Sequence, residues 1–335
     1  IMGGTFISTP KKYRDSYVKY AFKAMNDFSK LFYTKNKFNL IKFKKFFELP
    51  GDIQDEKREK RIIKKLLKIK NLKTTSLELE QKKNEKLNTR CVGLTIETRP
   101  DYGLLKHGNE MLRLGCTRVE IGIQSVYEDS LKKINRGHTI KDNIKSIATL
   151  KDLGFKINAH YMPGLYVSKE KDLRGMKQLF SDNNFKPDML KIYPCMVVPG
   201  TKLEKLYKQK KYEPLTTKQA AELIAEFKQS VPKYCRIMRV QRDIPTYVTT
   251  AGVDKTNLRQ YVQKEMKEKG IVCNCIRCRE IGRSKKPTQT IKITYNIIEY
   301  EASNGLEFFI SADKENNIVG FCRLRFPNTK NLLRK

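Results

Sequence analysis

The sequence of 335 residues contains no run of the eighteen or so apolar residues that a membrane-spanning helix needs, and its N-terminus has no charged-then-apolar secretory pattern. A soluble chain of the cytoplasm, with no membrane partner, is the expectation. Regularly paired cysteines are also missing. Of eight, three crowd into six positions and the others lie singly, which argues against a secreted disulfide framework and favours metal or redox chemistry. Acidic residues are scarce, 36 against 69 lysines and arginines, for a net charge of +33. That excess goes far beyond what solubility requires and would attract a polyanion by counterion release, so nucleic acid leads the partner classes. A lysine- and asparagine-heavy composition accounts for part of the excess. Wholesale disorder is excluded, because 39% of the residues are apolar and 16 Phe and 16 Tyr provide a core.

Between Tyr13 and Phe32, apolar residues recur at spacings of three and four, the period of a helix with one buried face. Residues 34–90 are lysine-rich and read as an insertion, either solvated helices or a basic arm facing RNA. From Cys91 onward short apolar strands alternate with helical patterns. Strands are predicted at Val92–Ile96, Arg118–Ile123, Phe155–Met162, Met189–Tyr193 and Arg236–Val240. The alternation predicts an α/β fold with a parallel sheet, and the polar residues cluster at strand ends, where a (β/α) barrel does its chemistry. Residues 1–240 are therefore read as a partial barrel and residues 241–285 as a linker. Three strand-like runs after residue 286 predict the antiparallel start of a second domain.

Cys273, Cys275 and Cys278, in a Cys-x-Cys-x-x-Cys spacing, can bring three thiolates to one point, as a zinc site requires. Cys322 or Cys235 is a candidate fourth ligand. Gly3-Gly4-Thr5 would let backbone approach a small ligand closely. Glu97, Gln124, Arg136 and His160 each lie at or near a strand end, so they can converge on one ligand carrying an amine, a ribose and a carboxylate. Taken singly, each is as readily a loop cap or a satisfied polar contact.

Longer motifs go further. Ile1–Phe6 (IMGGTF), Leu94–Tyr102 (LTIETRPDY), Gly115–Asp129 (GCTRVEIGIQSVYED), Asn135–Thr139 (NRGHT), Pro187–Pro194 (PDMLKIYP), Arg239–Pro245 (RVQRDIP) and Cys275–Gly282 (CIRCREIG), in this order, resemble the Elongator complex protein 3 family. The resemblance covers nearly the whole chain outside the insertion. It implies a partial radical S-adenosylmethionine barrel, a zinc-bearing linker and the first strands of a GNAT-type acetyltransferase domain. It further implies modification of the wobble uridine of tRNA at C5, with acetyl-CoA as co-substrate, and assembly with other Elongator subunits or as a homodimer. The alternatives weighed are a catalytically silent zinc protein that binds tRNA, a histone or protein lysine acetyltransferase, and a radical enzyme acting on a small molecule.

Carried over residue by residue, the resemblance places the methionine amino group of S-adenosylmethionine at Gly3, Gly4 and Thr5. It assigns Arg136 to the cofactor carboxylate, Glu97 and Gln124 to its amine or ribose side, and His160 to its lining. Cys273, Cys275 and Cys278 match the linker metal site. Arg99, Lys191, Arg239, Gln241 and Arg242 are expected around the barrel mouth as RNA contacts. The cysteines of the [4Fe–4S] cluster are expected upstream of Gly3 and the acetyl-CoA loop beyond Phe326, so the chain is read as a piece lacking both ends and inactive alone.

Overall fold

The computed structural model describes residues 1–72, 75–241, 245–283, 292–327 and 333. The chain divides into two units. One comprises Ile1, Phe6–Leu94 and Glu110–Cys116; the other comprises Met2–Thr5, Thr95–Asn109 and Thr117–Lys335.

In the first unit, α1 (Lys11–Phe32) turns Val18, Phe22, Asn26 and Phe32 inward; of the apolar residues at the three-and-four spacing Phe22 and Phe32 are buried, whereas Tyr17 and Ala21 are exposed. A two-residue hairpin follows, β1 (Tyr33–Thr34) with β2 (Lys37–Phe38), its turn made by Lys35 and Asn36 at φ 48° and 63°. Both central residues have positive φ, as a hairpin turn matched to strand twist requires. The lysine-rich stretch is more than a solvated arm. Its helix α2 (Leu40–Phe47) begins at Asn39, whose side chain accepts from the Lys42 N–H. Phe43 and Phe46 of α2 lie edge-on to Phe32 of α1, at ring distances of 5.3 and 5.5 Å. The helix α3 (Glu56–Lys70) buries no residue and is the solvated part. On α4 (Leu77–Asn84), Glu80 and Asn84 bond the buried Asn26 at 2.8 Å each.

In the second unit the strands β3 (Leu94–Thr98), β4 (Cys116–Gln124), β5 (Lys156–Tyr161), β6 (Met189–Ile192) and β7 (Arg236–Arg239) form one sheet in sequence order. β4 to β7 pair in parallel. The intervening helices are α5 (Leu105–Arg113), α6 (Glu128–Lys133), α7 (Ile140–Asp152), α8 (Lys169–Ser181), α9 (Lys202–Lys208) and α10 (Thr217–Lys228). Capping boxes start α7 at Thr139 and α10 at Thr216. Ile147 and Leu150 of α7, Met176 and Leu179 of α8, and Leu223, Ile224 and Phe227 of α10 are wholly buried.

Period-two alternation sorts the strands into two unlike faces. Val119, Ile121, Ile123, Ile157, Ala159, Tyr161, Leu190 and Ile192 lie on one, all buried and almost wholly apolar. The other carries Glu120, Asn158, His160 and Lys191, also buried. A strand covered on both sides reads as a continuous apolar run, so buried charges on one face mark a site rather than a second core.

Beyond β7 come α11 (Leu258–Glu268), the short α12 (Ile276–Arg279), and an antiparallel meander of β8 (Thr294–Ala302), β9 (Gly305–Lys314) and β10 (Asn317–Phe326). Ion pairs hold the meander within the second unit. Lys151 of α7 meets Glu307 at 2.7 Å, Arg323 meets Asp188 at 3.0 Å, and Arg325 meets Asp152 at 2.6 Å. No helix among the described residues is long and apolar enough to cross a membrane.

Candidate active site on the polar face of the sheet

Strand register assembles the site. Glu120 is level with Asn158, His160 with Lys191, and Lys191 with Arg239. Residues level in a parallel sheet share a face, so side chains far apart in sequence meet. Glu120 accepts from His160 Nε2 at 3.0 Å and from Asn158 Nδ2 at 3.2 Å, and the Lys191 ammonium closes on the same carboxylate. Burial alone would raise the Glu120 carboxyl, but the bonds from His160 and Lys191 outweigh it and hold it down at about 2. The other ring nitrogen of His160, Nδ1, lies 3.8 Å from Glu97. Glu97 in turn accepts from the backbone N–H of Gly3 at 3.1 Å. A polar chain therefore runs from Lys191 through Glu120, His160 and Glu97 to the glycine segment.

Gly3 and Gly4 have φ of 118° and 104°, a region that side chains rarely adopt, and no atom lies within 4 Å of where a Cβ would stand on either. Thr5 follows, half-buried. Gln124 ends β4 at φ 63°, where the register with β5 shifts. A Cβ at Gly122 would come within 2.8 Å of Gln124 Nε2 and 2.9 Å of Arg136 Nη2, so both side chains lie across that glycine. Gln124 Oε1 is buried with no hydrogen-bond partner. Behind Arg136, His138 is buried, and burial together with the Arg136 charge lowers it to about 4, which makes it a neutral imidazole near pH 7.

This donor set suits an amino-acid ligand. Glu97 and the open glycine backbone fit an ammonium, Arg136 fits a carboxylate, and the orphaned Gln124 oxygen is an acceptor awaiting a donor.

Of the residues expected at an RNA-facing mouth, two are buried and two half-buried. Lys191 is buried against Glu120 rather than exposed. Arg99 is half-buried and clamps Asp101 through two bonds of 2.6 and 2.5 Å. Arg239 is half-buried on the sheet. Gln241 is buried, and its Oε1 accepts from the Leu258 N–H at the start of α11. Arg242 lies outside the described residues. Glu120, Gly122, Asn158 and His138 escape the sequence reading as site residues. A glutamate and a lysine set within apolar strands, in Val119-Glu120-Ile121 and Leu190-Lys191-Ile192, are the signal that could have found the buried pair.

The three cysteines do come together. The Sγ atoms of Cys273, Cys275 and Cys278 lie within 4.8 Å of one another, and among the described residues neither Cys235 nor Cys322 joins them. Bonds from the Cys273 and Cys278 thiols hold Cys275 well below the usual thiol range. The buried Lys228 lies 3.6 Å from Cys278 Sγ. Burial would lower this ammonium, but the sulphurs around it raise it. The Ile276 N–H donates to the Cys235 carbonyl just before β7, so the cluster sits at the N-terminal end of that strand. Glu97 and Gln124 stand at C-terminal strand ends. The triad therefore suits a structural metal and does not fit a cluster serving the polar face.

The fold is that of an α/β protein whose parallel strands carry one buried polar face, and family models give its class as radical SAM. One described as the radical SAM superfamily matches residues 46–180, and one described as the radical SAM C-terminal domain matches residues 187–268. The solved structure of archaeal Elp3 from Methanocaldococcus infernus, with an N-terminal deletion of residues 1–46, matches with a TM-score of 0.82 and 38% identity, covering 98% of this chain and 68% of that one. The tRNA uridine(34) acetyltransferase of Methanocaldococcus jannaschii is 46% identical over 262 residues, 76% of this chain and 48% of its own length. Elongator complex protein 3 of Saccharomyces cerevisiae is 35% identical over 340 residues, 100% of this chain and 53% of its own length. The chain belongs to the Elongator complex protein 3 family. It spans about half the length of the curated relatives it matches.

Proposed function

We propose that this chain carries the S-adenosylmethionine and tRNA-binding part of an enzyme that modifies the wobble uridine, U34, of tRNA at C5, with acetyl-CoA as co-substrate. The observation that carries the reading is the chain of contacts from Gly3 through Glu97 and His160 to Glu120 and Lys191 on the polar face. Relatives named tRNA uridine(34) acetyltransferase support the substrate class.

In this reading Gly3, Gly4 and Glu97 hold the methionine ammonium, Arg136 takes the carboxylate, and Gln124 Oε1 accepts from a cofactor N–H or O–H. When bound with its [4Fe–4S] cluster, S-adenosylmethionine supplies radical hydrogen abstraction. The protein's own contribution is orientation. Glu120 fixes His160 beside Glu97, and the Gly3 N–H donates to Glu97, so the carboxylate that meets the ammonium is positioned rather than left to rotate. The Cys273–Cys275–Cys278 cluster would hold zinc and brace α12 against β7. The meander β8–β10 would open a GNAT-type domain that handles acetyl-CoA.

Equilibrium dialysis of the chain with radiolabelled S-adenosylmethionine, and filter binding with a tRNA transcript over a salt series, test the proposal. Saturable binding of both, with Glu97→Gln weakening S-adenosylmethionine at least tenfold and leaving tRNA unchanged, is the expected result. Binding of S-adenosylmethionine indifferent to that change would overturn the site.

A further inference from the structure

The three clustered cysteines border a second feature that the function above does not use. A pocket of about 540 Å³ opens between the start of α11 and the Cys278 side of α12, lined by Asn257, Arg259, Gln260, Gln263, Arg277, Cys278 and Arg283. We propose that this pocket is a subsite for one phosphodiester group of the RNA backbone, a proposal that rests on the tRNA reading given above.

Charge carries the argument. Among the described residues neither Arg259 nor Arg277 pairs with a carboxylate. Arg259 is anchored instead on the Ile237 and Met238 carbonyls of β7, at 3.4 and 3.2 Å. Arg283 meets Glu280 at 2.8 Å, but Arg236 already holds that carboxylate at 3.1 Å. Of the three arginines in the pocket, one thus shares a carboxylate with Arg236 outside it, and the other two have none among the described residues. Like charges assembled in a concavity repel one another, and an anion between them removes the penalty.

The helix adds to this field. Asn257 precedes α11, a helix of 11 residues, yet makes no side-chain cap; its amide bonds Gln260 Oε1 at 2.5 Å instead. Gln241 Oε1 takes the first N–H of the helix, at Leu258, and no acidic residue lies in its first turn, so the positive end of the helix dipole meets no carboxylate of its own. Gln260 and Gln263 add exposed amide donors. No aromatic ring lines the cavity, so it has no aromatic platform for a base. Guanidinium forks, amides and a helix N-terminus suit a phosphate oxygen, and contacts of this kind set the register of an RNA rather than read its sequence.

Cys275 and Cys278 flank Arg277 in sequence, so whatever draws the three thiols together also fixes this arginine. The metal site and the phosphate subsite would be one device, the first holding the second in place.

The test is tRNA-transcript affinity of the whole chain, measured from 50 to 300 mM salt, for the parent, Arg277→Gln, Arg283→Gln and Lys64→Gln. Lys64 lies on the solvated helix α3 and controls for loss of one positive charge. Each arginine change is expected to lower the slope of log affinity against log salt by about 1 and to weaken binding at low salt, with Lys64→Gln near the parent value. Metal content of each variant is measured alongside. If Arg277→Gln sheds metal or misfolds, Arg283→Gln, outside the cysteine loop, decides the matter. A parent that binds tRNA with both arginine slopes unaltered, or equally lowered by Lys64→Gln, overturns the pocket and leaves the function standing. A parent that binds no tRNA overturns the function itself. Inorganic phosphate that protects the parent but not Arg277→Gln against thermal unfolding, with RNA slopes unaltered, identifies a free-phosphate site and also overturns the RNA assignment.

Discussion

Glu120 accepts a hydrogen bond from His160 Nε2 at 3.0 Å, joining β4 to β5 across the buried polar face of the sheet. Lys191 shares the same carboxylate, so one acid neutralises the ammonium and positions both groups. Breaking a buried pair by removing one partner typically costs about 3–5 kcal/mol, whereas replacing the whole pair with apolar groups is often neutral. Glu120→Gln is therefore expected to lower unfolding free energy by about that amount in guanidinium titrations, and the double change Glu120→Leu with Lys191→Met to recover much of it. An unaltered midpoint for Glu120→Gln would show that the pair is not buried as described.

The same carboxylate gives acid sensitivity. Because the folded state holds Glu120 at about 2, below its ordinary 4.5, its contribution is present above the ordinary value and is lost as pH falls toward 2. Over that window the loss is on the order of 3 kcal/mol, and it should vanish in the double variant when unfolding is followed from pH 5 to pH 2.

Asp172 has the opposite sign. Burial raises it from 3.8 to about 7, even though it accepts from the Gly164 N–H and the Tyr161 hydroxyl. Between those values the folded state holds a proton that the unfolded state has released, so stability falls as pH rises, by an amount on the order of 4 kcal/mol. Asp172→Asn should flatten the melting temperature between pH 4 and pH 7. A parent protein whose stability rises over that range would contradict the assignment.

Gly122 allows binding to be separated from folding. An added methyl would meet only the far ends of Gln124 and Arg136, both of which can move aside. Gly122→Ala should change stability by less than about 1 kcal/mol, yet weaken S-adenosylmethionine by about tenfold, or 1.4 kcal/mol, because the two displaced groups are the ones assigned to the cofactor. Dialysis and a thermal melt on the same sample distinguish the outcomes, and unchanged affinity would remove Gln124 and Arg136 from the site.

The cysteine cluster is checked by metal analysis. The purified chain is expected to carry one zinc, and Cys275→Ser to carry none, with a lower melting temperature and early loss of α12 protection in hydrogen exchange. Full retention of zinc in Cys275→Ser would place the metal elsewhere.

Much of this was legible in the sequence, for local reasons. The alternation of apolar strands with amphipathic helices locates β3 to β7, and polar residues at strand ends single out Glu97 and His160, which lie 3.8 Å apart, and Gln124, which lies beside Arg136 across Gly122. Register was not legible. Nothing in one chain states that Glu120 stands level with Asn158, or His160 with Lys191, so Glu120 went unnoticed and Lys191 was taken for a surface cation. The bond of Gln241 to the start of α11 was not legible for a related reason, since a buried amide of this kind looks in sequence like any polar loop residue. The aromatic contacts of Phe32 with Phe43 and Phe46 were hidden by the lysines between them, which dilute the apolar signal without preventing the rings from meeting.

A crystal structure of the chain soaked with S-adenosylmethionine is the most direct measurement. The methionine ammonium is expected within hydrogen-bond distance of Glu97 and the Gly3–Gly4 backbone, with the carboxylate on Arg136. Density for the ligand elsewhere, such as the polar pocket bounded by Lys156, Arg323 and Arg325, would contradict the assignment of the polar face as the cofactor site.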